Sequence, residues 1–279
     1  MGRIKLRPYK NPPLFRKVAM GTWRTAKDPS VYGLLEIDMK AVLELLPEYE
    51  KKHNIKVTAS HLVGKAIAFC MSKRPEINGM IRGSKLYLRE NITAFYQVNV
   101  PGAKDEIGGA TLSGATIEKM ELKTVGEIAK ELNSKARRVK EDQDDDISKN
   151  MRIFKYLPWW LCSTYLNISS WLVYGLNINL KFLGIPKDPF GSVMITNVGS
   201  LGIDIGFAPL CPYTRVPLIL LVGSIQKMPW IVDDEIQVRP ILKVGVTFDH
   251  RFIDGIHASQ MARDFKKCFS HPEQYLLND

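Results

Sequence analysis

The chain has 279 residues, of which 45% are hydrophobic and 24% are charged, and its net charge is +10. This composition is that of an ordinary globular protein, and it excludes a collagen, a coiled coil or a largely disordered chain. The basic excess suits a polyanionic partner, which includes nucleic acid, an anionic membrane or a small molecule with several phosphates, and it does not choose among them.

The cysteines and the amino-terminal residues indicate the cellular compartment in which the protein is found. No CxxC pair and no cysteine–histidine cluster at metal spacing occurs among Cys70, Cys162, Cys211 and Cys268. We therefore expect no metal, no disulfide framework and free thiols in a reducing compartment, which indicates a cytoplasmic protein. The first residues are basic but precede no apolar stretch, so they are not a signal peptide. Residues 1–15 are expected to form a flexible basic arm before a single domain at 16–279.

Helices and strands are mixed along the whole chain. The first predicted elements are a short helix around Arg16–Lys27 and a strand at Val31–Asp38, and Thr58 and Ser60 are candidate caps of a later helix. Helical spacing of apolar residues is found in MKAVLELLPEYEKK, HLVGKAIAFCMSK, VGEIAKELNSKARRVK and HASQMARDFKKCF. Strand patterns are found in KLYLRE, ITAFYQVNV, SVMITNVGS, PLILLVGSI and EIQVRPILKVGVTFD. The mixture, without any repeat, predicts one α/β domain built on a mixed sheet flanked by helices.

A Trp-rich apolar segment at about residues 153–190 differs from the rest. It is uncharged from Tyr156 to Leu180 and contains Trp159, Trp160 and Trp171. A polar stripe at helical spacing interrupts its apolar surface: Ser163, Asn167, Ser170, Tyr174 and Asn177. Lipid would have to accommodate those polar groups at a cost, so we expect a buried or lid helix. Contact with a membrane surface and a true membrane span stay open as less favoured alternatives.

The stretch FDHRFIDG, Phe248 to Gly255, carries the strongest chemical signal. His250 follows the apolar run ILKVGVT, which predicts a strand end, where sites on α/β sheets tend to lie. An imidazole can accept a proton near neutral pH and return it. Asp254 is close enough in sequence to brace the turn, with a cation as its partner, and Gly255 suggests a tight turn or close backbone approach. A satisfied structural histidine is the alternative interpretation.

Four blocks, in order, resemble the catalytic domain of the dihydrolipoamide acyltransferases of 2-oxoacid dehydrogenase complexes, and more distantly chloramphenicol acetyltransferase. FDHRFIDG is similar to the family's DHRxxDG, and SVMITNVGSLGIDIGFAPL is similar to its TISNLGxxG block. VTASHLVGKAIAFCMSKRPEIN resembles a helix ending in PxxN, and FRKVAMGTWRTAK resembles the opening helix. The resemblance implies a chloramphenicol acetyltransferase-like α/β fold and transfer of an acyl group from coenzyme A to a thiol or hydroxyl acceptor.

The resemblance also implies roles for particular residues. His250 would be the general base that deprotonates the acceptor, and the hydroxyl of Thr196 would stabilise the oxyanion. Asp254 would orient the site through a salt bridge, with Arg24 as its candidate partner. The remaining residues expected to shape and support the site are Asn197, Gly199 and Gly255.

Assembly is implied in the same way. The family works as trimers with active sites between subunits, so a homotrimer is expected in which His250 and Thr196 come from different chains, with a larger cage as an open alternative. The sequence contains no lipoyl domain, so no covalent lipoyl group is expected on this chain, and a separate lipoyl-carrying protein would bring the acceptor.

Two other classes of function remain open. A non-catalytic trimer or cage-forming assembly protein would have the same fold without the chemistry. A nucleic-acid or membrane-surface protein would use the basic arm and the Trp-rich segment, but the sequence offers no stacking module or base-reading motif.

Overall fold

The computed structural model describes residues 5–10, 28–98, 113–140, 158–178 and 187–278. The main sheet consists of β2 (Ser30–Asp38), β5 (Ala94–Val98), β6 (Ser113–Ile117), β7 (Val193–Asn197), β8 (Leu218–Val232) and β9 (Glu235–Asp249). Its strand order is β2-β9-β8-β7-β5-β6. The pairs β5–β7 and β7–β8 are parallel and the others antiparallel, so the sheet is mixed as predicted.

A second, antiparallel sheet has the order β1-β4-β3. It consists of β1 (Leu6–Pro8), β3 (Gly79–Arg82) and β4 (Lys85–Arg89). Because β1 pairs with β4 from Leu6 opposite Arg89 to Pro8 opposite Tyr87, the prediction of a flexible arm is wrong for this part of residues 1–15. Backbone pairing with the edge of β4 holds Leu6–Pro8 in place.

The helices are α1 (Lys40–His53), α2 (Ala59–Ser72), α3 (Val125–Lys140), α4 (Trp159–Ser170), α5 (Gly255–Ser270) and α6 (Pro272–Tyr275). Helices α1, α2, α3 and α5 contribute to one large apolar cluster on a face of the main sheet. Along β8, Leu218 and Leu220 join this cluster, whereas Ile219 and Leu221 join a smaller cluster on the opposite face. This alternation buries the inner half of β8 on both sides.

Helix α2 begins as the sequence predicts, with one correction. Thr58 is the N-cap, and its backbone N–H donates to Nδ1 of His61 over 3.0 Å. Ser60 is not a cap, because it is the second residue of the helix and is buried. The predicted helix around Arg16–Lys27 lies outside the described residues, and so does Arg24.

The Trp-rich segment is packed on one side only. Helix α4 continues into a π-helical turn, Trp171–Gly175, whose Tyr174 packs with Met80 of β3. Yet Ile168 is 52% exposed and Trp171 is 55% exposed, so the expected burial is correct for one side of the helix and wrong for the other. Across the described ranges, no helix is both long and apolar enough to span a bilayer.

Two arginines of the small sheet tether this segment. The Nε of Arg82 donates to the carbonyl of Gly175 over 2.6 Å. Arg89, which is 5% exposed, forms a forked pair with Asp188, with nitrogen–oxygen distances of 2.7 and 3.1 Å. Paired buried charges of this kind are costly to break, because removal of one partner leaves the other uncompensated. These contacts tie the described ends of the segment, at Gly175 and Asp188, to the small sheet.

The pH dependence of stability should report on His61. Burial lowers the pKa of His61 from 6.5 to about 4. As the pH falls through this window, the unfolded chain binds a proton on this imidazole before the folded chain does. The stabilisation is therefore complete above pH 6.5 and is lost as the pH approaches 4, by roughly 2–3 kcal/mol in the free energy of unfolding.

The matched variant is His61→Gln, because glutamine can still accept the Thr58 N–H at this helix position and does not titrate. Urea unfolding at stepped pH should show a smaller loss of stability in the variant than in the wild type between pH 6.5 and 4. Parallel stability curves for the two proteins would contradict this account.

Candidate active site

His250 directly follows β9, and backbone hydrogen bonds to two other segments hold the end of this strand. The backbone N–H of Asp249 donates to the carbonyl of Pro217, and that of His250 donates to the carbonyl of Pro29, both over 2.9 Å. Nδ1 of His250 lies 3.1 Å from the carbonyl oxygen of Ile253. A carbonyl can only accept, so Nδ1 must carry the proton in this hydrogen bond, and Nε2 of the neutral ring holds the lone pair.

A buried ion pair, which the sequence analysis missed, flanks His250. Asp249 is 5% exposed, and its carboxylate accepts from Nε of Arg251 over 2.9 Å and from an outer guanidinium nitrogen over 2.7 Å. The same carboxylate accepts the backbone N–H of Arg251 over 2.9 Å. The pair therefore closes the turn that presents His250. Its signal was visible, because both residues stand beside the histidine in FDHRFIDG.

Asp254 caps a helix. Its carboxylate accepts the backbone N–H of His257 over 3.0 Å and lies 2.6 Å from the Nδ1 of the same residue. The other ring nitrogen of His257 lies 3.7 Å from Glu76, in the Pro75–Asn78 stretch that the sequence analysis singled out. Asp254 thus joins the start of α5 to that stretch. Its proposed salt bridge stays a prediction, because Arg24 lies outside the described residues.

The surroundings of Gly255 differ from the close backbone approach that the sequence suggested. It is the first residue of α5, its φ is not in the left-handed region, and no described heavy atom lies within 4 Å of a Cβ built there. Among the described residues, nothing approaches Gly255 closely enough to require a glycine, and its role in supporting the site stays a prediction.

Thr196, Asn197 and Gly199 lie together at the carboxyl end of β7 and just after it. Thr196 is near the end of β7, and the Asn197 side chain accepts the backbone N–H of Ser200 over 3.0 Å. A Cβ at Gly199 would stand 2.4 Å from the carbonyl carbon and oxygen of Gly223 in β8. Gly199 therefore lets the loop after β7 lie directly on the neighbouring strand, as expected of a residue that shapes this loop.

Strand register separates Thr196 from His250 within one chain. Thr196 pairs with Leu221 of β8, and Leu221 pairs with Gly245 of β9. Thr196 is thus level with Gly245, which precedes His250 by five positions. This offset corresponds to about 17 Å along the strands and about 10 Å across two strand spacings. The two proposed catalytic groups of a single chain are therefore far beyond hydrogen-bonding distance of each other.

A cavity of about 470 Å³ adjoins the His250 turn. Its wall includes Asp249 and Arg251, which flank the histidine, and residues of α4 in the Trp-rich segment. The polar and charged residues of the wall include Asp28, Asn167, Ser170, Tyr213, Arg215, Asp249 and Arg251. The stripe predicted on α4 thus contributes two of its polar residues to this cavity, while apolar residues of the same helix face outward.

Burial raises the pKa values of two side chains in the cavity wall. It raises the pKa of Tyr213 to about 12, so the phenol is protonated and able to donate at neutral pH. It also raises the pKa of the Cys211 thiol, which disfavours the nucleophilic thiolate. Within the described part of the chain, no group of three or more His, Cys, Asp or Glu side chains is placed to hold a metal ion.

Known proteins are similar to this chain in sequence and in fold. The chain is 22% identical over 247 residues to the dihydrolipoyllysine-residue acetyltransferase component of the pyruvate dehydrogenase complex of Zymomonas mobilis, covering 88% of this chain and 45% of that protein. It is similar in structure to a probable dihydrolipoamide acetyltransferase from Listeria monocytogenes, with a TM-score of 0.63, 19% identity and 94% of both chains covered. Chloramphenicol acetyltransferase matches with a TM-score of 0.53 and 12% identity, covering 94% of this chain and 99% of its own.

The fold is therefore the chloramphenicol acetyltransferase-like fold that the sequence predicts. The model of the 2-oxoacid dehydrogenases acyltransferase (catalytic domain) family matches residues 15–146 and 190–277, and the chain belongs to this family. The chain spans about half the length of the curated relatives that it matches over most of its own length. Residues 147–189 lie outside this match, and we call them the insertion. They contain most of the Trp-rich segment.

The two glycines of the site should respond differently to alanine. Gly199→Ala forces a Cβ against the backbone of Gly223, so we expect the free energy of unfolding to fall by about 2 kcal/mol or more. Gly255→Ala meets no described atom, so its effect should stay within about 0.5 kcal/mol. Urea unfolding of both variants measures the difference. Equal stabilities would show that the loop after β7 does not depend on this close approach.

Proposed function

We propose that the protein is an acyltransferase that moves an acyl group between coenzyme A and a thiol acceptor of the dihydrolipoyl type, or a hydroxyl, with His250 as general base. The observation that carries the proposal is the hydrogen bond from Nδ1 of His250 to the carbonyl of Ile253, which leaves the lone pair on Nε2. Membership of the acyltransferase family supports it, as does a cavity beside the same turn.

The chemistry needs no covalent enzyme intermediate. Nε2 of His250 takes the proton of the acceptor thiol, and the sulfur forms a bond to the carbonyl carbon of the acyl-CoA thioester. The carbonyl oxygen becomes negatively charged in the tetrahedral intermediate. When the intermediate collapses, the bond to the sulfur of coenzyme A breaks, and the proton on the imidazolium passes to that sulfur. A base in this position typically contributes about 10²- to 10⁴-fold in rate.

Stabilisation of the oxyanion is assigned to the hydroxyl of Thr196 from a neighbouring copy of the chain. Within one chain the strand register sets Thr196 about 17 Å along the sheet from His250. A hydroxyl so far away cannot donate to an oxygen beside His250, so a second copy must bring it. This requirement supports a homotrimer with sites between subunits, whether or not trimers build a larger cage.

Other residues hold the base and bring the substrates together. The Asp249–Arg251 pair fixes the turn of His250, and Asp254 anchors the helix that follows, with Arg24 as its proposed partner in a salt bridge. Coenzyme A enters as acyl-CoA, and we propose that a separate lipoyl-carrying protein presents the acceptor.

Substitutions of the two proposed groups test the function. We expect His250→Ala to lower kcat/KM for transfer from acetyl-CoA to dihydrolipoamide by about 10²- to 10⁴-fold. Thr196→Val should lower it by about 10²- to 10³-fold, because it removes the oxyanion donor. Thr196→Ser keeps the hydroxyl and should stay within about tenfold of the wild type. Release of free coenzyme A measures each rate.

The control is His271→Ala, which removes an exposed histidine at the end of α5. It should behave as the wild type. Full turnover by His250→Ala, or no turnover by the wild-type protein with any acyl donor and thiol acceptor, would contradict the proposal. The second outcome, together with a trimer in light scattering, would favour the assembly protein instead.

A further inference from the structure

His257 contacts Asp254 in two ways at the start of α5. Its backbone N–H donates to the Asp254 carboxylate over 3.0 Å, and its Nδ1 lies 2.6 Å from the same oxygen. An ionised carboxylate can only accept, so Nδ1 of the ring is the donor in the second contact. An aspartate N-cap needs only the backbone contact. The imidazole therefore adds a second link to Asp254.

The same imidazole reaches a separate segment of the chain. Its Nε2 lies 3.7 Å from a carboxylate oxygen of Glu76, a distance at which the two form an ion pair when the ring is protonated. Glu76 belongs to the short 3₁₀ turn Pro75–Ile77, which follows α2. His257 thus lies between two carboxylates, one in the turn that carries His250 and one on a different element.

The contact with Glu76 is the first of a row along one face of α5. Gln260 accepts from Nε of Arg74 over 3.1 Å, and Asp264 pairs with an outer guanidinium nitrogen of Arg74 over 2.8 Å. Positions 257, 260 and 264 are three and four residues apart, so they share one face of the helix. This row sets the rotation of α5 relative to the segment after α2, and His257 stands at its amino-terminal end.

Asp254 connects the row to the proposed base. The Ile253 carbonyl, which accepts from Nδ1 of His250, belongs to the peptide bond between Ile253 and Asp254. The peptide bond before Ile253 is held by its N–H, which donates to the Asp249 carbonyl over 3.0 Å. The peptide bond after it is linked to the rest of Asp254 through one rotation, the φ angle of −100°. Contacts that hold Asp254 therefore also limit the direction of the Ile253 carbonyl.

We propose that His257 is a positioning residue for the general base. It holds Asp254, and with it the carbonyl of Ile253, in the orientation that keeps the proton of His250 on Nδ1 and the lone pair on Nε2. This inference rests on the proposed function, because the tautomer of His250 matters for acyl transfer only if His250 is the base. The tautomer itself is a property of the resting protein and is measured without any substrate.

This role is compatible with the salt bridge proposed between Asp254 and Arg24. An ionised carboxylate offers about four lone-pair sites, so contacts with one residue do not exclude another. The two partners differ in what they connect. His257 links Asp254 to its own helix and to the turn after α2, and so fixes the backbone that carries the Ile253 carbonyl.

Nitrogen NMR of the full chain with labelled histidine tests the proposal. The chemical shifts of the two ring nitrogens show which one carries the proton, and the signals of His250 are assigned by their loss in His250→Ala. At a pH at which this ring is neutral, the wild type should carry the proton on Nδ1. In His257→Ala the ratio of this tautomer to the other should fall by about 2- to 10-fold, the usual weight of one hydrogen bond.

The conservative variant is His257→Asn. The amide nitrogen of asparagine can donate to Asp254 from about the position of Nδ1, but this shorter side chain lacks a group at the position of Nε2. It should keep the wild-type tautomer. In the transfer assay His257→Ala should lower kcat by about tenfold with little change in KM, because the residues that bind substrate are unchanged, whereas His257→Asn should stay within about threefold of the wild type.

The matched control is Gln260→Ala, which removes the next contact of the row on the same face of α5. Both Gln260→Ala and His257→Ala should lower the free energy of unfolding in urea, because each loses a link between α5 and the segment after α2. Only His257→Ala should change the tautomer of His250 and kcat, since Gln260 does not contact Asp254.

Each result bears on the proposal. An unchanged tautomer in His257→Ala, or an equal change in Gln260→Ala, would show that His257 only stabilises the helix and would overturn the inference. Loss of the tautomer in His257→Asn as well would overturn the assignment to the Asp254 contact. A wild-type protein that transfers no acyl group but whose His250 tautomer depends on His257 would support the positioning role and contradict the proposed function. An active protein whose tautomer is independent of His257 would do the reverse.

Discussion

The register of three neighbouring strands is the constraint on which the account depends. Hydrogen bonds between β7, β8 and β9 set Thr196 level with Gly245 and leave His250 beyond the far end of the sheet. No loop movement can bring these groups together within one chain, because the sheet would have to break. A base and an oxyanion donor from this chain can therefore act on one thioester only where two copies meet.

Local contacts, which differ between the two ends of the proposed site, hold each proposed catalytic group in position. The Ile253 carbonyl fixes the tautomer of His250, and the buried Asp249–Arg251 pair closes the turn that presents it. At the other end, Gly199 lets the loop after Thr196 lie on β8. In the insertion, the buried Ser170 accepts a hydrogen bond from Arg215 and so joins this segment to the loop before β8. The residues proposed for the chemistry lie within the part of the chain that the family model matches.

Sequence patterns predicted the elements well and their contacts poorly. The strand at residues 235–249 and the helix at 125–140 were predicted with their observed bounds, because apolar periodicity reflects burial directly. Strand β3 and the Asp249–Arg251 pair were missed, and Gly255 was misread, because these features depend on which residues meet in space. The outward-facing Trp171 was unexpected for the same reason: two residues of the polar stripe, Asn167 and Ser170, line a cavity that residues distant in sequence create.

Complementation between two inactive variants tests whether each active site is shared between two copies of the chain. His250→Ala and Thr196→Val copies, unfolded together in equal amounts and refolded, would assemble sites at random. If each site takes its histidine from one copy and its threonine from the next, about a quarter of the sites receive both groups, and about a quarter of the wild-type activity should return. A mixture that stays as inactive as its separate components would show that the two groups do not act across subunits.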